Sequence, residues 1–218
     1  MAITGIPTAA LTMVAGKHAG TRMGVLPQWC AKNLLPALAL LEAAGTLALM
    51  SYALLYEAGN LVNIPDKCIG FYNFCLWNGT AGQLQCLDTQ HLQAMGISLL
   101  QLGLARVCVY TCLVFVLFHI PFVLNVNSTF KGQGEGWKMI RIILFIKMII
   151  LSGGLGMFLL QTSHWIHPSD FTGGFLALLG TQALLLLQIL TVTVYLSWTK
   201  YTHMCQNLLT EEALLTKI

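Results

Sequence analysis

The sequence predicts an all-α membrane protein, an antiparallel four-helix transmembrane bundle with one large loop outside the cytosol. Three observations lead there. Hydrophobic residues make up 56% of the 218 and charged residues only 9%, against about 25% charged in a soluble domain. With a mean hydropathy of +0.73, the chain cannot cover a water-facing surface with polar groups. Four apolar runs are each long enough to cross a hydrocarbon core of ~30 Å. Lys and Arg are shared unevenly among the segments that join those runs, and that asymmetry orients the bundle.

Residues 1–33 are weakly apolar and basic, with Lys17, Arg22 and Lys32. The basic residues follow the short apolar run 9–16, the reverse of a secretory leader. The segment therefore reads as a loose cytosolic tail. The first span covers 34–56, roughly 35 Å at 1.5 Å per residue. Ala39, Ala43, Ala44 and Ala48 place small residues where another helix can approach closely. Residues 57–96 form the large loop. The second span covers 97–122, residues 123–138 a polar connector, and the third span 139–161. Residues 162–172 form a short loop, the fourth span covers 173–198, and 199–218 form a polar cytosolic tail.

The two tails and the connector with Arg141 hold Lys17, Arg22, Lys32, Lys131, Lys138, Arg141, Lys200 and Lys217, whereas the other two loops hold only Lys67. Both termini are thus expected in the cytosol, with the large and short loops outside. The acceptor Asn78-Gly79-Thr80 agrees, because glycan is added on the lumenal side. A second acceptor, Asn127-Ser128-Thr129, falls in the cytosolic connector and is expected to stay unused.

Charges inside the spans should face the bundle and find partners, since each costs ~2.5–3.5 kcal/mol near the bilayer centre. Glu42 and Lys147 each lie about eight residues in from the cytosolic end of a span, roughly 12 Å deep. An ion pair between them is expected. Arg106 enters from the outer side, with Glu57 or helix-end carbonyls as its expected partners. The alternative is a transport path that uses Glu42, Arg106 and Lys147.

Other chemistry has little support. The net charge of +3 comes without a basic patch interleaved with aromatics, so no nucleic-acid partner is expected. The seven cysteines include no C-x-x-C pair. His164, His167 and Asp170 would share a helical face, but Pro168 interrupts them, and they read as surface residues rather than metal ligands. Cys108 and Cys112 face one way on the second span and read as core packing. No catalytic residue, metal or cofactor is assigned, and the protein reads as a non-enzyme. Cys30 and Cys205 beside the cytosolic membrane face are candidates for S-palmitoylation. The ending Leu215-Thr216-Lys217-Ile218 fits capture of a C-terminus by a PDZ domain.

The most unusual stretch is 70–86, GFYNFCLWNGTAGQLQC. Trp77 followed by Gly82, Gln83, Leu84, Gln85 and Cys86 resembles the first extracellular loop of claudins and their relatives. Tyr52–Leu61, Ile69–Asn78 and Gly103–Arg106 are similar to the transmembrane protein 140 family, whose members are claudin-like four-span membrane proteins. The resemblance covers about 34–195. It implies short β-strands in the first loop, a Cys75–Cys86 disulfide, and a Cys68 that is free or paired with another chain. It also implies a role in membrane organisation, adhesion or as an accessory subunit. The partners would be the lipid bilayer, a second copy or other membrane proteins, and the plasma membrane is preferred over the endoplasmic reticulum. The first cysteine precedes Trp77 instead of following it, no other tryptophan lies between the first span and Trp77, and the loop is short. Those departures remove the grounds for carrying over tight-junction strand or pore formation.

Overall fold

Four helices long and apolar enough to cross a membrane dominate the structure, a computed structural model that describes residues 28–129 and 134–215. They are α1 (Gln28–Ser51), α3 (Leu99–Thr129), α4 (Gly134–Thr162) and α5 (Gly173–Leu215), and a short α2 (Thr89–Ala94) precedes α3. Residues 28–34 are the first turns of α1, and the chain from Leu35 onward is one compact unit. The long helices carry Leu, Ile, Val and Phe on every face, as expected where lipid rather than water surrounds the bundle.

Each helix still has an inner face. On α1 it is Ala39, Glu42, Ala43, Thr46 and Met50, while Ala44 and Ala48 point outward. On α3 it runs through Leu102, Ala105, Val109, Cys112, Val116, His119, Val123 and Val126. α3 and α4 meet where Gly154 leaves room. A Cβ there would lie 2.8 Å from the Cys108 Cβ, so the small cluster at 152–156 serves helix contact through Gly154.

The helices outrun the spans expected from hydropathy. α3 continues to Thr129 and α4 starts at Gly134, so most of the expected connector 123–138 is helical, and 130–133 lie outside the described residues. Val123 and Val126 are buried, so their side chains contribute packing beyond the apolar run. α5 likewise continues past 198 to Leu215, through a stretch with neither Gly nor Pro to stop it.

The loop between α1 and α2 is a four-stranded antiparallel meander, β1 (Asn60–Ile64), β2 (Lys67–Gly70), β3 (Phe74–Asn78) and β4 (Gln83–Cys86), in the spatial order β1-β2-β3-β4. α1 enters it through a π-helical turn, Tyr52–Tyr56, closed by Glu57 N–H donating to the Tyr52 carbonyl at 2.9 Å. Ala58 and Gly59, both at positive φ, then reverse the chain. Leu61, Val62, Ile69, Phe71 and Phe74 turn inward and are buried, and the Phe71 ring packs on Phe158 of α4 with centroids 4.9 Å apart.

The sheet also grips the short loop before α5. Thr172 N–H donates to the Leu61 carbonyl at 3.0 Å, and Val62 forms an isolated bridge with Phe171. This approach requires glycine at 174, where a Cβ would lie 2.2 Å from the Asn60 carbonyl oxygen. Gly153 has open space around its Cβ position. Gly174→Ala is therefore expected to destabilise by about 1–3 kcal/mol through overpacking, whereas Gly153→Ala is neutral or slightly stabilising. Thermal unfolding of the two variants in one detergent checks the contrast.

Candidate functional site

The four-stranded sheet presents the most built surface of the described chain. Its inner side is fastened at two points. Arg106 of α3 donates from Nε to the Phe71 carbonyl, and its guanidinium lies over the Tyr72 ring, 4.9 Å from the centroid. This cation–π contact lets the charge end among loop groups rather than in lipid. Tyr72 in turn meets Tyr110 edge-on, centroids 5.6 Å apart. Lys67 of β2 reaches the short loop, where its Nζ lies 2.6 Å from Asp170 Oδ2 and 3.4 Å from the Trp165 carbonyl. Beside the sheet, Ser98 N–H donates to Gln161 Oε1 at 2.9 Å, joining the start of α3 to the end of α4. The two loops therefore form one platform at one end of the bundle.

The outward side of that platform is partly apolar. Trp77 on β3 stands directly opposite Leu84 on β4, and they are 51% and 38% exposed. Tyr72 is exposed as well. The whole of β4 is exposed, and it is the last strand of the sheet. Asn78 closes β3 and organises the turn that follows. Its Oδ1 accepts from Thr80 N–H at 3.0 Å and its Nδ2 donates to Gln85 Oε1 at 2.8 Å. Gly82 leaves that turn at φ 61°. The motif residues Trp77, Gly82, Gln83 and Gln85 thus form one hairpin, and Cys75 and Cys86 are joined across it by a disulfide. Phe71 and Phe74 are buried, Tyr72 is exposed on one side while it packs on Arg106 and Tyr110 of α3, and Trp77 stands in the open, so the aromatic run divides between core and surface.

The expected Glu42–Lys147 ion pair is not formed. Glu42 faces α5 instead, where its Oε1 accepts from the Thr191 hydroxyl at 3.0 Å. One turn along, Thr46 donates to the Glu42 carbonyl and accepts from Gln188 Nε2 at 3.3 Å. Lys147 is fully buried in another seam, between α3 and α4, with Cys112 Sγ 3.8 Å from its carbonyl oxygen and His119 close enough to interact electrostatically. Equal depth put both charges in one layer, but their helix faces point them into different seams. Arg106 meets the loop carbonyl rather than Glu57, whose Oε1 accepts from the Tyr52 hydroxyl at 2.8 Å.

Sequence reasoning passed over Thr46, Thr191 and Asn60. The first two cap polar groups inside the bundle, and Asn60 accepts from Asn73 Nδ2 at 3.1 Å within the sheet. Polar residues three or four apart on one helix face, Glu42 with Thr46 and Gln188 with Thr191, were the available signal for the threonines. His164, His167 and Asp170 do not gather. Asp170 instead accepts from the His167 N–H at 2.7 Å and binds Lys67, and among the described residues no group of three His, Cys, Asp or Glu is placed to hold a metal. The Asn127 acceptor sits at the end of α3 far from the sheet, with Ser128 donating to the Asn125 carbonyl. The side chains of Cys30 and Cys205 and the C-terminal residues 216–218 lie outside the described residues.

Two expectations follow. The Lys67 hydrogen bond, backed by the His167 N–H, holds the Asp170 carboxyl below its usual range. Its contribution to stability is present above the unfolded value of about 3.9 and is lost as pH falls through the lower folded value. The fall of Tm between neutral and acidic pH should shrink in Asp170→Asn, measured as Tm against pH for both proteins. In the bundle, Glu42 Oε2 and Gln188 Oε1 are buried without a donor. Glu42→Gln supplies an N–H there and is expected to hold or raise Tm. Glu42→Leu removes the acceptor of Thr191 and should cost about 1–3 kcal/mol.

A family model described as the TM140 protein family matches residues 28–207, from the first turn of α1 to the later turns of α5.

Proposed function

The chain belongs to the TM140 protein family, and from that premise we propose a non-catalytic multi-pass membrane protein that works by contact. In this reading the outer platform meets other membrane proteins or a second copy, and the protein acts in membrane organisation, adhesion or as an accessory subunit. The supporting observation is the β3–β4 hairpin. Its disulfide, the Asn78–Gln85 side-chain bond and the Leu87 N–H donating to the Phe74 carbonyl tie it together, yet it leaves Trp77 and Leu84 in the open. Rigid aromatic side chains lose little conformational freedom on binding and are favoured as interface anchors. A claudin-like layout, with both termini cytosolic and the platform outside at the plasma membrane, fits this role.

The alternative is a transporter or channel subunit. The observation that favours it is the pair of donorless acceptors on Glu42 and Gln188 together with the buried Lys147. Against it, these groups belong to separate seams, α1–α5 and α3–α4, and do not line one path. The contact reading is therefore preferred.

Chemical cross-linking on intact cells followed by mass spectrometry separates the two. Cross-links from the platform to membrane proteins or to a second copy are expected, and Trp77→Ser with Leu84→Ser should remove most of them while surface display is kept. Glu42→Gln and Lys147→Met should leave them in place. If the hairpin variant cross-links as well as the original, and Lys147→Met abolishes an ion flux in proteoliposomes, transport is the function. In the same cells, glycosidase should shift the mobility of the original protein but not of Asn78→Gln. An endoglycosidase-H-resistant glycan would put the platform on the non-cytosolic side of a protein that has passed through the Golgi, which favours a cell-surface contact role.

A further inference from the structure

Three cysteines stand in one row across the outer sheet. Cys68 on β2 is directly opposite Cys75 on β3, and Cys75 is directly opposite Cys86 on β4. Opposed residues of antiparallel strands project to the same face, with Cβ atoms about 4.5–5.5 Å apart. The disulfide takes the second and third of the row. Cys68 keeps a free thiol and is half-buried. A third sulfur therefore flanks the disulfide on the side of Cys75 away from Cys86.

That order suits thiol–disulfide exchange, in which a thiolate attacks one sulfur and the other departs. Attack runs along the S–S axis. The register sets the three cysteines side by side in the order Cys68, Cys75, Cys86, with the middle one between a free thiol and its bonded partner. Burial adds direction. Cys75 is 3% exposed, which shields it from thiols in solution and leaves its strand neighbour as the thiol placed to reach it. Cys86 is exposed on the edge strand.

We propose that Cys68, Cys75 and Cys86 form a thiol–disulfide relay, in which the bond passes to Cys68–Cys75 and releases Cys86 as a reactive thiol on the open edge of the sheet. The Cys68 thiolate attacks Cys75 Sγ. The Cys68–Cys75 bond forms, the Cys75–Cys86 bond breaks, and the electron pair leaves on Cys86 Sγ, which takes up a proton equal to the one Cys68 gave up. One disulfide and one thiol are present before and after, so no oxidant or reductant is consumed. The released thiol is a covalent attachment point for a partner that carries an accessible disulfide. Such a partner would form a mixed disulfide with Cys86 and expel its own thiol.

The exchange is gated by ionisation of Cys68. Burial first, and the Glu57 carboxylate second, push that thiol above its ordinary range. Lys67, the nearest cation along the chain, projects to the other face of β2 and is engaged with Asp170. The relay is therefore slow at neutral pH and quickens as pH rises.

The test uses the full-length protein in detergent or nanodiscs, a maleimide probe, and mass mapping of every cysteine over several hours at pH 7 and pH 8.5. The expected result is time-dependent labelling of both Cys68 and Cys86, faster at the higher pH. In Cys68→Ser, labelling of Cys86 should fall to background. In Cys86→Ser, Cys68 and Cys75 should be found joined to each other. Labelling confined to Cys68 at both pH values would overturn the relay. So would Cys86 labelling that persists in Cys68→Ser, or a Cys86→Ser protein that folds with Cys68 and Cys75 both free. The membrane-buried Cys112 is the internal control for unfolding, since its labelling marks a loss of structure rather than exchange.

Discussion

The junction between β1 and the start of α5 is the contact on which the rest of the loop end of the bundle depends. There the backbone at Asn60–Val62 meets Phe171–Gly174 at hydrogen-bond distance, with glycine at 174 because nothing larger fits under the Asn60 carbonyl. The pairing gives otherwise exposed backbone groups a partner near the membrane boundary. It also ties a segment that follows α1 to one that follows α4. That pairing places β1, and the sheet with it, against the start of α5. Arg106 and the Lys67–Asp170 pair add local fastening to a position already determined by backbone.

The same economy governs charge inside the bundle. Buried charge or polarity is tolerable when the group keeps its hydrogen bonds. The helices meet that need mainly with neutral side chains. Thr191 and Thr46 serve the α1–α5 seam, and Thr162 and Thr181 bond back to carbonyls four residues earlier on their own helices. Arg106 solves the problem differently, leaving the lipid layer through a loop carbonyl and an aromatic face. Only Lys147 is wholly enclosed in a seam without a carboxylate among its described contacts. Cations are therefore handled singly, by position, and not as a matched pair.

Much of this was legible in the sequence, and the boundary between what was and was not is physical. Four spans, their order and the shared end of the two loops follow from the length and spacing of apolar runs, and hydropathy reports those directly. The helices run past the expected spans because Val123 and Val126 extend packing beyond the continuous apolar stretch, and because the residues after 198 include no helix breaker. The Glu42–Lys147 pairing failed for a related reason. Distance from a membrane face can be counted along a helix, but the seam a side chain enters depends on how four helices are rotated, and no single-helix pattern carries that. The hairpin motif marked the disulfide through family resemblance. The register that places Cys68 beside it is a cross-strand relation, which a sequence without pairing information does not contain.

The edge strand draws these lines together. β4 is short and wholly exposed, and among the described residues its backbone on one side is without a strand neighbour. Exposed edges invite pairing with other chains, and proteins blunt them with charge, proline, bulges or covering segments. Gln83-Leu84-Gln85-Cys86 carries neither charge nor proline. What limits the edge here is its length and the disulfide that ties it to β3. If the bond moves one strand inward, that tie is lost, and β4 is held only by its hydrogen bonds, the Trp77–Leu84 contact and the Asn78–Gln85 side-chain bond. The cysteine row would then control two properties at once, the reactivity of an exposed sulfur and the freedom of the strand that carries it. A surface anchored rigidly at Phe71 and Phe74 yet adjustable at its outer strand is suited to a partner captured first by the Trp77 face and then held covalently.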